Sequence, residues 1–449
     1  MGVHMRPNIL LIMVDSLRAD RCWGDKRQCR TPVLDDVRRQ ATVFTNAFST
    51  ASMTTICTAG ILTGTYPFVH GIRSLAGGRL RPDLPTLAEA FQASGYHTWA
   101  EVTGPLESMT GLDRGFDDYR YREYTQWLDT PFGDYLTTRL RGGLSSPWFG
   151  FLHLWEIHYP RRVTPEYNSP EYGQHLYDRA LSSLDHQLAR LLDALPGNTV
   201  VVITGDHGEY LSESTGGEVV SGLKRPAAWL KRRVPGVKKL KRYVMSTLFK
   251  TMDRFKQRDS EFYRAWVGHG FHVYEPLVHV PLIIYGPGLF PSGVEIAHLA
   301  SHVDIFPTLV SAFDLPMANS SRVSGIDLTP IIQATDKKPD GRSIYLEASG
   351  ERTRARPEQW LTALRTERYK YVRGLYNKTL PEELYDLEQD PAERENLVSK
   401  LPDVAEMLRA QLYELLQGAD EPQPDTATTY SPDEMARLSQ RLRDLGYVD

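Results

Sequence analysis

Asn8-Ile9-Leu10-Leu11-Ile12-Met13-Val14-Asp15 sets the pattern of the whole chain. Its apolar residues run on without alternation, the mark of a strand buried on both faces of a parallel sheet. The run stops at Asp15, which puts a carboxylate at the C-terminal end of the strand, the edge where open α/β sheets bind ligands. A second such run, Thr199-Val200-Val201-Val202-Ile203-Thr204, leads into Gly205-Asp206-His207. Two distant segments are therefore expected to bring acids to one sheet edge. Tyr96–Val102, Trp148–Leu154 and Val280–Tyr285 predict further strands. Leu181, Leu184, Leu188, Leu191 and Leu195 recur at helical spacing, and Val303–Phe313 also reads as helix. After about Asp340 the character changes. Ser343–Glu347, Trp360–Arg365 and Tyr369–Arg373 alternate between short turns, as antiparallel strands do, and a helix over Val404–Leu416 follows. A loose connector over Gly418–Thr429 precedes a final short helix. The expected organisation is one α/β domain over 6–340, carrying an insertion at 211–267, and a small α+β domain with a helical tail over 341–449.

With 449 residues, 41% hydrophobic and 24% charged, the composition is that of an ordinary globular protein. No apolar run approaches the ~18 residues of a membrane span. The first residues, Met1–Pro7, contain no hydrophobic leader, and Met5 reads as the natural start; the expected location is the cytoplasm. Cys22, Cys29 and Cys57 form neither a disulfide framework nor a zinc-site spacing.

The stretch Ser52-Met53-Thr54-Thr55-Ile56-Cys57-Thr58-Ala59-Gly60-Ile61-Leu62-Thr63-Gly64-Thr65-Tyr66-Pro67, followed by His70-Gly71, carries a resemblance that the rest of the chain extends. Pro7–Asp15 and Thr31-Pro32-Val33-Leu34-Asp35 precede it. Glu156-Ile157-His158-Tyr159-Pro160, Thr204–Glu209, Gly268-His269-Gly270, Ser301–Thr308 and Glu383–Pro391 follow in order. Each fragment is weak alone, but in this sequence they resemble the sulfatase branch of the alkaline phosphatase superfamily over nearly the whole chain. The resemblance implies an alkaline-phosphatase-like sandwich, with a mostly parallel central sheet between helices and a small C-terminal domain. It departs at one decisive point. Relatives carry a cysteine, oxidised to formylglycine, or a serine at the nucleophile position, with arginine four residues on; here the residues are Thr54 and Thr58. Cys57 lies about one helical turn too late to serve, with Ile61 at the arginine position.

By position, the resemblance implies a divalent-metal site built from Asp15, Asp206, His207 and Thr54. Ser16 stands where many sulfatases have a further acidic ligand. Two carboxylates, a hydroxyl and an imidazole suit Mn²⁺ or Zn²⁺, with Mg²⁺ and Ca²⁺ as the remaining options, since Ca²⁺ prefers six to eight oxygens. Thr54 is the expected nucleophile. His158 and His269 are expected at the substrate or the leaving group, and His302 and Thr58 are weaker candidates for substrate contact. His153, His272 and His279 read as packed or surface residues. Glu101-Val102-Thr103 replaces the Lys-x-His pair that many sulfatases carry. With the arginine also missing, the leading expectation is a hydrolase or group transferase acting on a phosphate or phosphonate ester. The alternatives are an atypical sulfatase acting on a sulfate ester and a catalytically silent binding protein.

The formal net charge is −4, yet between Lys224 and Arg258 there are 13 Lys and Arg against one acid, Asp253. Val237, Leu240, Val244, Leu248, Met252 and Phe255 recur there at helical spacing. This basic segment is expected at the mouth of the site, where it would hold a small anionic substrate or rest on an anionic membrane surface. No groove-reading or stacking motif accompanies it, so no nucleic-acid partner is expected. The oligomeric state has no signature in the sequence.

Overall fold

The computed structural model describes residues 6–24, 27–75, 77–211, 264, 268–286, 288–317, 320–334, 341–350, 357–417 and 430–445. The basic segment 224–258, and with it the expected lid or membrane contact, lies outside the described residues.

Eight strands form the central sheet: β1 (Asn8–Val14), β2 (Thr42–Phe48), β3 (His97–Val102), β4 (Asp118–Tyr121), β5 (Trp148–Leu154), β6 (Thr199–Gly205), β7 (His279–Tyr285) and β8 (Val294–Ser301). Their order is β4-β3-β5-β1-β6-β7-β2-β8, and only β7 runs against the rest. The expected mostly parallel sheet is present. β1 sits between β5 and β6, with Val14 opposite both Leu154 and Gly205. The next residues of all three strands, Asp15, Trp155 and Asp206, therefore leave the sheet side by side.

The uninterrupted apolar run of β1 now has its reason. Ile9, Leu11 and Met13 face one layer, which includes the wholly buried helix Thr54–Thr63. Leu10, Ile12 and Val14 face the other, which includes the helix Leu176–Asp193 and its leucines at 181, 184, 188 and 191. Each fully buried aliphatic side chain contributes about 1.5–3 kcal/mol, so a polar residue anywhere in β1 would cost one layer or the other.

The second sheet is antiparallel, ordered β12-β11-β10-β9 from β9 (Ile344–Ala348), β10 (Leu361–Arg365), β11 (Tyr369–Gly374) and β12 (Glu383–Asp386). Two buried ionic clusters tie it to the first. Arg73 grips Glu347 through Nε and Nη2 (2.9 and 2.7 Å), and Glu347 also accepts from Tyr345 and Trp360. Lys370, fully buried, donates to Glu393 and to the carbonyl of Val273, each at 2.8 Å, and pairs with Glu275 at 2.8 Å. The last helix, Pro432–Asp444, returns to the first domain: Leu438 and Leu442 join its core, and Arg441 pairs with Glu107 and Glu123.

β2, β4 and β8 are additions to the expected strands. β2 shifts register around Thr45 and Asn46, which breaks its alternation. β4 is a four-residue strand at the sheet edge. β8 carries Glu295 and His298 among its apolar residues. All three cysteines are buried free thiols. Among the described residues no helix is long and apolar enough to cross a membrane.

Gly150 on β5 faces Trp99 on β3, and a Cβ there would lie 2.4 Å from the indole. Gly150→Ala is expected to destabilise the protein by about 1–3 kcal/mol in a urea melt. The same change in a Trp99→Phe background should cost measurably less, because the clash is with the indole's second ring.

Candidate active site

Asp15, Asp206 and His207 meet at the sheet edge, each with a ligand atom within 4.8 Å of the others, and all three are inaccessible to solvent. The backbone aims them. Asp15 N–H donates to Leu154 O (2.8 Å) and Asp206 N–H to Val14 O (3.3 Å), so each acid is pinned to the neighbouring strand's end. Gly205 is required at the turn, since a Cβ there would lie 2.3 Å from Leu17 O.

Ser16 adopts a left-handed conformation (φ 63°). In that turn its N–H donates to Asp206 Oδ1 (2.8 Å) and its hydroxyl to Asp15 Oδ1 (2.8 Å). Ser16 thus spends its hydroxyl on a carboxylate and holds both acids apart at a fixed distance. Tyr177 braces this turn, donating to Ser16 O (2.7 Å) and accepting from Arg18 N–H (3.0 Å).

Thr54 is the first residue of its helix, and its hydroxyl donates to Asp15 Oδ2 at 3.1 Å. The first N–H groups of a helix have no intrahelical acceptor, so this terminus offers donors to an anion beside the threonine. Thr58 lies one turn on; its hydroxyl bonds back to Thr54 O (2.8 Å) and contacts Met13 Sδ (3.6 Å), which directs it into the core. Cys57 is likewise turned inward, with Sγ on Ala51 O (3.1 Å) and burial pushing its thiol up to about 12.

His269 arrives on a separate loop. Gly270 N–H donates to Ser52 Oγ (3.0 Å), which docks that loop two residues before Thr54. The rings of His269 and His207 are 4.7 Å apart, and those of His269 and His158 are 5.8 Å apart. Trp155 packs against His158 at 4.0 Å. His302 sits behind the site: its Nε2 meets Gly205 O at 2.8 Å, and burial pulls it down to about 3, so it supports the turn that carries Asp206.

Two residues near the cluster were not anticipated. His153, read from sequence as packed or surface, is fully buried one residue before the end of β5. Its Nδ1 meets Thr103 O (3.1 Å), and its Nε2 lies 3.6 Å from Asp15 Oδ2. Its place in an apolar run hid it; the usable signal was its position in register with Met13, two residues before Asp15. Glu209 follows Asp206-His207-Gly208 and faces His269 Nδ1 at 3.7 Å. His272 and His279 lie away from the cluster, on Glu383 and on the Thr45 carbonyl.

The electrostatics call for a cation. Burial raises Asp15, and burial together with Asp15 raises Asp206 to about 6. Burial pulls His207 down, but Asp206 and Asp15 outweigh it and the net shift is upward. Asp206 Oδ2 and His207 Nε2, 3.5 Å apart, are buried with no hydrogen-bond partner among the described residues. Orphaned polar atoms of this kind cost about 1–3 kcal/mol each unless a ligand satisfies them, and a divalent ion held by Asp15, Asp206 and His207 would do so. At the rim, burial first and then His269 hold His158 well below the usual histidine range; Arg161 adds to the same effect.

Fold and site together have the form of a sulfatase-like hydrolase, a mostly parallel sheet whose strand ends gather Asp15, Asp206 and His207, a set that could hold a divalent metal. The Sulfatase family model matches residues 7–315, and the model for the C-terminal part of N-sulphoglucosamine sulphohydrolase matches residues 265–419; the chain belongs to the sulfatase family. Arylsulfatase A of Bos taurus is 25% identical over 96% of this chain and 90% of its own length. Phosphonate monoester hydrolase of Agrobacterium radiobacter superposes with a TM-score of 0.67 at 18% identity, covering 92% of this chain and 96% of that one. A 2-O GAG sulfatase superposes equally well, 0.67 at 20% identity and 93% of both chains.

In metal-free protein, Asp206 titrates above its unfolded value. Its proton-linked stabilisation is therefore complete below about pH 4 and is lost as the pH rises through about 6. Asp206→Asn should accordingly raise the stability of the metal-free protein more at pH 7 than at pH 5, by roughly 1 kcal/mol, in paired thermal melts. Added divalent metal should stabilise wild type most at the higher pH, where the carboxylates are ionised, and should do far less for Asp206→Asn.

Proposed function

We propose that this protein is a metal-dependent hydrolase or transferase that cleaves a phosphate or phosphonate ester through Thr54. One observation carries the reading: the Thr54 hydroxyl, at a helix N-terminus, bonds to Asp15 beside the Asp206–His207 pair, while the one nearby cysteine points into the core. The arginine of the formylglycine frame is replaced by Thr58, whose hydroxyl is spent on the backbone. A threonine also lacks the second hydroxyl by which a formylglycine hydrate expels sulfate, so turnover here requires attack of water or another acceptor on the transferred group.

Thr54 Oγ attacks the phosphorus in line with the departing ester oxygen, and its proton passes toward Asp15, which already accepts it. The first N–H groups of the Thr54 helix draw charge from the equatorial oxygens. His269, which faces Glu209, is the group assigned to protonate the leaving oxygen, with neutral His158 beside it. A bound divalent ion supplies positive charge that makes a nearby hydroxyl more acidic and a phosphoryl group more electrophilic. The donor set of two carboxylates, one imidazole and one hydroxyl favours Mn²⁺ or Zn²⁺.

Thr54→Ala should lower kcat/KM by roughly 10³-fold or more on an aryl phosphonate monoester, with Thr54→Ser retaining measurable turnover. Acid-quenched wild type should show Thr54 carrying the transferred group by mass spectrometry. Faster turnover of the matched aryl sulfate would reverse the choice of phosphorus over sulfur, and full activity in Thr54→Ala would end the mechanism.

A further inference from the structure

The loop that carries His158 ends in two arginines with opposite fates. Arg162 donates to both oxygens of Asp129 (3.2 and 2.9 Å from Nε), and its N–H bonds to Glu156 O at 2.8 Å. With His158 N–H on Trp155 O (3.1 Å), the loop Glu156–Arg162 is fixed at both ends. Arg161 lies within this fixed loop and is half-buried. Its Nε is shielded from solvent with no hydrogen-bond partner among the described residues, and its guanidinium rests over the Tyr177 ring at 5.5 Å. Tyr177 is the residue whose hydroxyl braces the Ser16 turn, and the charge of Arg161 is felt at His158, so this cation stands at the rim of the site.

A guanidinium whose Nε is shielded without an acceptor is costly, because that donor has given up water and gained nothing. Two other arginines near the cluster are spoken for: Arg18 is paired with Asp20, and Arg122 donates to the carbonyls of Gln126 and His153. We propose that Arg161 binds a second anionic group of the substrate, a carboxylate, phosphate or sulfate that is not transferred. The ester would then carry at least one negative charge beyond the scissile group. This rests on the reading of the site as an ester-cleaving centre and adds the class of ester. Arginine suits the task, since its planar fork matches a carboxylate or phosphate edge and its attachment to a fixed loop and an aromatic face limits the entropy lost on binding.

Affinity separates this subsite from the chemistry. The probes are two aryl phosphonate monoesters that differ only in bearing a carboxylate or a carboxamide on the ring, titrated by calorimetry into Thr54→Ala protein. The carboxylate ester is expected to bind more tightly. Thr54→Ala/Arg161→Gln should lose roughly ten- to hundredfold of that preference, and Thr54→Ala/Arg161→Lys should keep part of it. No preference in the parent, or the same preference after Arg161→Gln, overturns the proposal. Turnover of either ester by Thr54→Ala would instead retire the nucleophile assignment, while the ratio of the two affinities would still report on Arg161.

Discussion

The structure depends on two carboxylates being buried side by side. Parallel pairing of β1 with β6 sets Val14 opposite Gly205, so Asp15 and Asp206 have to emerge together. Both are inaccessible to solvent, and neither has an arginine or lysine partner among the described residues. Burial penalises the ionised form of both acids and raises both, and the charge of Asp15 raises Asp206 further. The groups around them offset that burial cost. Ser16 donates to both, Thr54 donates to Asp15, and His207 lies against Asp206. What these donors leave unsatisfied among the described residues, one carboxylate oxygen and one imidazole nitrogen, is what a divalent ion would take.

The same burial explains why the site can be chemically active yet rigid. The acids sit on strand ends in the middle of the sheet, the threonine on a helix with no exposed residue, and the supporting Tyr177 and His302 are packed behind them. The outer groups, His158, Glu209 and His269, come from loops. A hydroxyl nucleophile gains from this arrangement, because its position relative to the acids is set by core packing, where a small displacement is expensive.

Much of this was legible in the sequence where a residue follows an unbroken apolar run. Asp15 and Asp206 could be placed at one sheet edge because Ile9–Val14 and Val200–Ile203 can only be central strands. Trp148–Leu154 was found with its exact bounds for the same reason. That run also concealed His153, because a histidine inside an apolar strand looks like filler until the register with β1 is known. Ser16 and Thr58 show a second limit. Residue type suggested a ligand and a substrate contact, but a hydroxyl has several acceptors within reach, and only the backbone geometry shows that one is spent on Asp15 and the other on Thr54 O. β2, β4 and β8 were lost where strands shift register, shorten at an edge or carry charge, since pattern reading relies on regularity.

The buried Lys370 has a consequence for how such a chain can diverge. Its two carboxylate partners come from opposite sides of it in sequence: Glu275, six residues after His269, and Glu393 in the segment after β12. Replacing the small sheet by one without this lysine, at a junction between residues 275 and 370, would leave Glu275 without this counterpart. Losing one partner of such a pair costs about 3–5 kcal/mol, comparable with much of a domain's net stability. The loop bearing His269 and the second sheet are therefore constrained to be inherited together. Evolutionary tinkering with the leaving-group side of the site is channelled into point substitution, while wholesale module swapping is penalised at the level of folding.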